Sequence, residues 1–223
     1  MKKYPVFIAG GTGYIGKRLI RILLDEGCDV TALVREQSIQ KLPDGCKAVI
    51  GSPFDAASYA ESISADSVFV HLVGVNHPGP KKKLLFYSVD LASLKVSVEA
   101  AKQAGVRHFV YVSVAQHPTK VMADYQEARR QGEEAILASG LTSTFIRPWY
   151  VVGPGHYWPL LFQPVFKLLE VIPSTSVQAK ALALVSLKQM LLTLKNTVIN
   201  TPKKGINTIV EVQDIKNAKP QSP

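Results

Sequence analysis

Gly10-Gly11-Thr12-Gly13-Tyr14-Ile15-Gly16 follows the apolar run Pro5-Val6-Phe7-Ile8-Ala9 and precedes Leu19, Ile20, Leu23 and Leu24, which recur at helical spacing. The glycines read as G-x-x-G-x-x-G from Gly10 and as G-x-G-x-x-G from Gly11. Strand, glycine turn and helix in that order open a βαβ unit that binds a pyrophosphate. One glycine allows the tight turn, another lets the backbone approach the phosphates, and Gly16 lets helix and strand pack closely. The pyrophosphate then rests on free amides at the positive end of the first helix. Gly10, Gly11, Thr12, Gly13, Tyr14, Ile15 and Gly16 are therefore the first cofactor-binding candidates.

Outward from this turn, apolar runs and helical stretches alternate. Gly27 stops the first helix, and Val30-Thr31-Ala32-Leu33-Val34 forms a second strand ending at Arg35. Further strands are expected at Ala48–Ile50, Val68–Val73, Phe109–Val112 and Thr142–Ile146. Helices are expected at Ala56–Ile63, from about Leu84 to Ala104, and from about Ala123 to Ser139. Short connections between such elements imply an α/β fold, a Rossmann-type doubly wound parallel sheet of about seven strands. After Arg147, prolines and glycines interrupt the alternation. A small helical C-terminal cap is expected from about Trp158 to Ala183, then a helix over Ser186–Ile199. A strand at about 206–211 returns to the sheet, and Asn217–Pro223 is expected to fray. Residues 1–157 thus read as the dinucleotide-binding domain and 158–223 as cap and returning strand, in one compact unit.

Composition narrows the function classes. Hydrophobic residues make up 47% of the 223 and charged residues 19%, a globular balance. No secretory signal pattern opens the chain, and no apolar stretch is long enough for a spanning helix. Cys28 and Cys46, like the five histidines, lack metal-ligand spacing, so no metal is expected. Cytoplasmic localisation follows as the default. The net charge of +9 favours anionic ligands, but the basic residues are scattered, Lys81-Lys82-Lys83 apart. No nucleic-acid-reading motif accompanies them, so a nucleic-acid partner is not expected.

The residue closing strand two bears on cofactor choice. An acid about 20 residues past the glycines would accept hydrogen bonds from the ribose 2′-hydroxyl of NAD. Here Arg35 stands instead, able to grip a 2′-phosphate bidentately and to stack on adenine. NADP(H) is therefore the preferred cofactor, with NAD(H) possible.

Further motifs follow in order: His71-Leu72-Val73-Gly74, Val106-Arg107-His108-Phe109-Val110-Tyr111-Val112-Ser113, Tyr125 with Gly132-Glu133, and Arg147-Pro148-Trp149-Tyr150-Val151-Val152-Gly153-Pro154-Gly155. With the glycine turn, they make the chain resemble the extended and atypical short-chain dehydrogenase/reductase superfamily, especially its NmrA-like and epimerase-like NAD(P)-binding branch. The resemblance implies that the loop after strand three, with Ser52, borders the adenine. The loop after strand four, with Val73 and Gly74, borders the ribose, and the loop after Arg147, with Pro148 and Val151, borders the nicotinamide.

The chain departs from that pattern at three places. Gly51-Ser52 stands where the family often has Gly-Asp. The catalytic pair Tyr-x-x-x-Lys becomes Tyr125-Gln126-Glu127-Ala128-Arg129. Both side chains share one helical face, and Arg129 can lower the Tyr125 pKa by its charge, yet it stays protonated and relays no proton. Ser113 closes strand five, but an epimerase-like alignment puts the active serine on Val114, and one step along a strand turns a side chain to the other face. Tyr125, Arg129 and Ser113 are the catalytic candidates.

Two outcomes stay open: a working Ser-Tyr site, or a binding site with altered chemistry. The first gives an NADPH-dependent reductase of a small carbonyl or quinone-like substrate. The second gives a non-catalytic NAD(P)-binding redox sensor or assembly subunit. A nucleotide-sugar epimerase or dehydratase is the third alternative, disfavoured by the short stretch after Gly155. His117 could act as acid or base at the rim, whereas His71 reads as packed and hydrogen-bonded. Trp149, Tyr150, Tyr157 and Trp158 read equally as pocket lining or core, and the run Trp158–Phe166 as cap packing. Monomer and homodimer are both compatible with the sequence.

Overall fold

The structure, a computed structural model, describes residues 4–76, 78–117, 119, 122–155, 157 and 182–220. Continuous apolar runs form the central strands because both faces of the sheet are covered. The first six strands are β1 (Val6–Ala9), β2 (Val30–Val34), β3 (Lys47–Ile50), β4 (Val68–His71), β5 (His108–Val112) and β6 (Ser143–Ile146). The later strands are β7 (Tyr150–Val152), β8 (Leu184–Ser186) and β9 (Asn207–Val210). Seven of them make one parallel sheet in the order β3-β2-β1-β4-β5-β6-β9. The two edges, β3 and β9, are the strands with mostly exposed side chains. The order reverses direction between β1 and β4, which opens a crevice at the strand carboxyl ends.

Side chains alternate across the sheet and meet a different helix layer on each face. On one face Ile8, Val30, Val70, Val110 and Ile146 pack against helices α1 (Gly16–Asp25) and α4 (Leu187–Ile199). Glu26 and Lys195 pair at 2.9 Å across that helix contact. On the other face Phe7, Phe69 and Phe109 stack in register at centroid separations of 5.3 and 5.1 Å. Helices α2 (Ala92–Ala104) and α3 (Ala123–Ser139) cover them through Leu94, Val98 and Ile136. The Gly132-Glu133 and Arg147 motifs have a structural reason. Any Cβ at Gly132 would lie 2.9 Å from the Tyr111 hydroxyl, so this helix must pass close over β5. Glu133 and Arg147 form a two-bond ion pair, and Arg147 also holds Glu211 at 2.8 Å, tying α3, β6 and the short helix α5 (Val212–Lys216) together.

The expected elements stand with three differences. Ala56–Ile63 is two short 3₁₀ turns, Ala56–Ser58 and Ala60–Ser62, rather than one helix. The break falls at Tyr59, which adopts φ −150° to bury its ring on Phe7. Ahead of α2, the chain forms a π-helical turn over Phe86–Leu91. Finally, β7 and β8 pair in a separate parallel ribbon too short to show a period in sequence. The expected cap, with Trp158 and most of the run to Ala183, lies outside the described residues.

Two buried histidines give this fold a pH signature. Burial pushes His71 down to about 3 and His108, held by Thr144 at 2.9 Å, down to about 4. Exposed in the unfolded chain they titrate near 6.5. The unfolded state therefore takes up more protons below that pH, so stability is full above it and falls as pH drops through it towards the folded values. Denaturant unfolding at about pH 7 and about pH 4.5 should show this loss, reduced in His108→Gln; an equal loss in that variant would contradict it.

Candidate functional site

A cleft of about 460 Å³ opens over the carboxyl ends of β1 to β4. Gly10, Thr12, Gly13, Arg35, Ser52, Val73 and Gly74 all line it, so residues from the ends of four strands, β1 to β4, come together. Leu33, Val34, Gly51, Pro53, Phe54, Leu72 and Val89 line it as well and were not foreseen. Phe54 is half exposed, and with Pro53 it gives the wall an apolar patch suited to a flat base.

The glycine turn is shaped by close backbone approach. Gly10 has φ +91°, and a Cβ on it would lie 2.7 Å from the Leu72 carbonyl carbon. Its own carbonyl accepts the Gly13 amide at 3.1 Å and sits where a Cβ on Gly16 would be. Gly11 faces inward, against Ala32 and Ile20. The first turn of α1 has neither a side-chain cap nor an acidic residue. The Lys17 and Arg18 amides turn back to the Gly13 and Ile15 carbonyls at 3.2 and 3.1 Å, so it is the positive helix end, with no acid beside it, that fits a diphosphate. Ile15 packs on the core, and Tyr14 sits under Gly153, with the Arg18 guanidinium 4.4 Å from its ring centroid. Both support the turn and neither lines the cleft.

Arg35 is exposed at the end of β2. The Ser52 hydroxyl accepts the Phe54 amide at 3.3 Å, and its own amide donates to Ser58 at 3.0 Å. Ser52 therefore shapes the loop that presents Pro53 and Phe54.

A second group lies behind the loop after β4. Tyr125 is partly buried on α3, its ring edge-on to Phe86 at 5.0 Å. The Arg129 guanidinium is 5.1 Å from the Tyr125 ring centroid and is itself 6% exposed. Its Nη2 donates to Asp90 at 2.9 Å, and its Nη1 to the Val112 carbonyl at 2.9 Å and the Tyr111 hydroxyl at 3.3 Å. Burial opposes the Arg129 charge, but Tyr111, Tyr125 and Asp90 outweigh it and hold the guanidinium protonated. Burial raises the Tyr125 hydroxyl, with Arg129 pulling the other way, and lifts Tyr111 to about 12. Ser113 is 3% exposed; its amide donates to Ile146 at 2.8 Å, and its hydroxyl has no partner among the described residues. Val114 is buried too. The Pro148 carbonyl accepts the Ala115 amide at 3.1 Å, and Val151 pairs with Val185 in the ribbon. None of these residues lines the 460 Å³ cleft. Gly74 joins the groups: it lines the cleft, and a Cβ on it would lie 2.6 Å from Arg129 Nη2.

His71 is fully buried and bonded to Ser97 at 3.2 Å, while His117 lies on the loop after β5 and its carbonyl accepts from Gln126. Asp90 and Tyr111 escaped the sequence reading. An acid inside the apolar pattern from Phe86 to Leu94 was the available signal, because a buried carboxylate requires a partner. No cluster able to hold a metal occurs among the described residues.

Residues 10–155 match the family described as NAD(P)H-binding. The chain belongs to that family. It is 29% identical over 178 residues to ceramide reductase of Caulobacter vibrioides (strain NA1000 / CB15N), covering 77% of this chain and 55% of that protein. It is 32% identical over 155 residues to an uncharacterized sugar epimerase, YhfK, of Bacillus subtilis (strain 168), covering 64% and 70%. The fold of this NAD(P)H-binding chain matches that of Bordetella bronchiseptica WbmH in complex with NAD+, with TM-score 0.68 and 20% identity over 96% of this chain and 79% of WbmH. The short-chain dehydrogenase/reductase resemblance, the Rossmann sheet and dinucleotide binding all stand. Among the described residues no helix is long and apolar enough to cross a membrane.

Gly10→Ala should abolish measurable dinucleotide binding. It should also destabilise the fold by more than about 1 kcal/mol, from left-handed backbone plus the Leu72 clash. Calorimetric titration alongside thermal unfolding checks both, and binding at wild-type affinity would contradict the geometry.

Proposed function

We propose that the chain is an NADPH-dependent reductase of a small carbonyl or quinone-like substrate. The observation that carries this is the cleft at the strand ends, with the glycine turn on one side and Arg35 at its rim. Arg35 supports a preference for NADP(H), with NAD(H) accepted more weakly, because its fork suits a 2′-phosphate. The name of the Caulobacter vibrioides relative supports reductase chemistry, although this chain spans only 55% of its length. Residues 1–157 form the dinucleotide-binding unit in this reading, and residues 158–223 a small cap and a strand returning to the sheet. Cys28 and Cys46 form no disulfide with each other, in keeping with a reducing compartment, and we place the protein in the cytoplasm as a monomer or homodimer.

Bound there, the reduced nicotinamide supplies the hydride. The Tyr125 hydroxyl donates its proton to the carbonyl oxygen, and Arg129 keeps that region positive as the alkoxide develops. In this reading Ser113, at the end of β5, is a further hydroxyl of the site, and Pro148 and Val151 border the nicotinamide.

One observation favours a second reading, a non-catalytic NAD(P)(H)-binding sensor or assembly subunit. Arg129 is held by Asp90, Val112 and Tyr111 rather than turned outward as a mobile cation.

Calorimetric titration should give tighter binding of NADPH than NADH. In Arg35→Ser the NADPH affinity should fall roughly tenfold to a hundredfold while NADH changes little. Equal losses for both cofactors would remove the 2′-phosphate argument. Tyr125→Phe should lower turnover by about 10²–10⁴-fold with NADPH still bound. Unchanged turnover would reject Tyr125 as proton donor, and cofactor binding without consumption of any carbonyl or quinone would favour the sensor.

A further inference from the structure

Asp90 lies in the π-helical turn Phe86–Leu91 and is 1% exposed. Such turns concentrate at functional sites because the extra residue re-aims side chains. Here Val89 points into the dinucleotide cleft and Asp90 is turned beneath the adjacent loop. Its carboxylate oxygens serve different partners. Oδ1 accepts the Val75 amide at 2.7 Å, and Oδ2 takes Arg129 Nη2 at 2.9 Å. The loop Leu72–Val75 is therefore gripped from below at Val75. At Gly74 it passes so close over Arg129 that an added Cβ would lie 2.6 Å from Nη2 and press on the ion-paired guanidinium. From the other side the same loop abuts Gly10, and Leu72, Val73 and Gly74 all face the cleft.

An ion pair serving only to join α3 to the π-helical turn needs no bond to a cofactor loop, yet half of this carboxylate is given to one. Were Arg129 to leave for a ribose hydroxyl, Asp90 would remain buried with an uncompensated charge. We infer that Asp90 is a positioning residue for the dinucleotide: by accepting the Val75 amide, with Arg129 as its fixed counter-charge, it sets the Leu72–Val75 loop in the shape that borders the cofactor ribose. This presupposes the dinucleotide site proposed above and adds the element that shapes one wall of it. Arg129 is a stationary cation in this arrangement, held behind the loop rather than in contact with the cofactor.

Two double variants separate positioning from charge pairing. Asp90→Asn with Arg129→Met removes both charges but keeps an oxygen for the Val75 amide. Asp90→Leu with Arg129→Met removes the charges and the acceptor. NADPH should bind the second at least about tenfold more weakly than the first, with both folded by circular dichroism. Hydrogen exchange at the Val75 amide, measured without cofactor, should be faster in the second. Val75→Pro, which deletes the donor and leaves the ion pair intact, should weaken NADPH binding by a similar factor, and decides the matter if the Leu-Met double does not fold. Equal affinity in the two folded doubles, or unaltered binding by Val75→Pro, overturns the inference. Wild-type protein is titrated first: failure to bind any dinucleotide would sink the cofactor proposal, whereas faster Val75 exchange would still show the carboxylate holding the loop.

Discussion

The backbone of Gly10 lies against the backbone of Leu72 and Val73, closer than any side chain would permit. This contact joins the loops after β1 and β4 at the point where strand order reverses, and it determines where a ligand can sit. Gly16 repeats the device one turn later by packing on the Gly10 carbonyl. Helix α1 therefore starts directly behind the turn whose Gly10, Thr12 and Gly13 line the crevice. The aromatic stack Phe7–Phe69–Phe109 holds β1, β4 and β5 in register below, so both sides of the contact stand on rigid strands.

The Leu72–Val75 loop also faces the second group of polar residues. Its underside rests on Asp90 and Arg129, which bring in the π-helical turn, α3 and the end of β5. Tyr125 lies over the same guanidinium. The cleft and the Tyr-x-x-x-Arg helix are thus linked through a buried charge pair. A lysine would present a compact, rotatable ammonium there. Arginine presents a planar fork that two or three acceptors immobilise, so the exchange alters what the position can do.

Much of the fold was readable in advance because central parallel strands are continuous apolar runs, and β2 and α3 fall where the pattern put them. Local pattern failed where a tertiary contact overrode it. Ala56–Ile63 has helical composition, but burying Tyr59 against Phe7 breaks it into two turns. That Gly10, Thr12, Gly13, Arg35, Ser52, Val73 and Gly74 would line one cleft was legible because each follows a strand whose place in the sheet the pattern implied. Asp90 was not, because its partners Val75 and Arg129 are remote in sequence and meet it only once the sheet is assembled. Spacing alone could place Tyr125 and Arg129 on one face, but not reveal which way the guanidinium turns.

The most direct measurement of the central claim is an amide-resolved NMR titration of the full chain with NADPH. The amides of Gly11 to Gly16 and those of Val73 to Val75 should shift together and saturate along one binding curve, since a single ligand touches both loops. Shifts confined to other parts of the sheet, or none at saturating cofactor, would contradict the account.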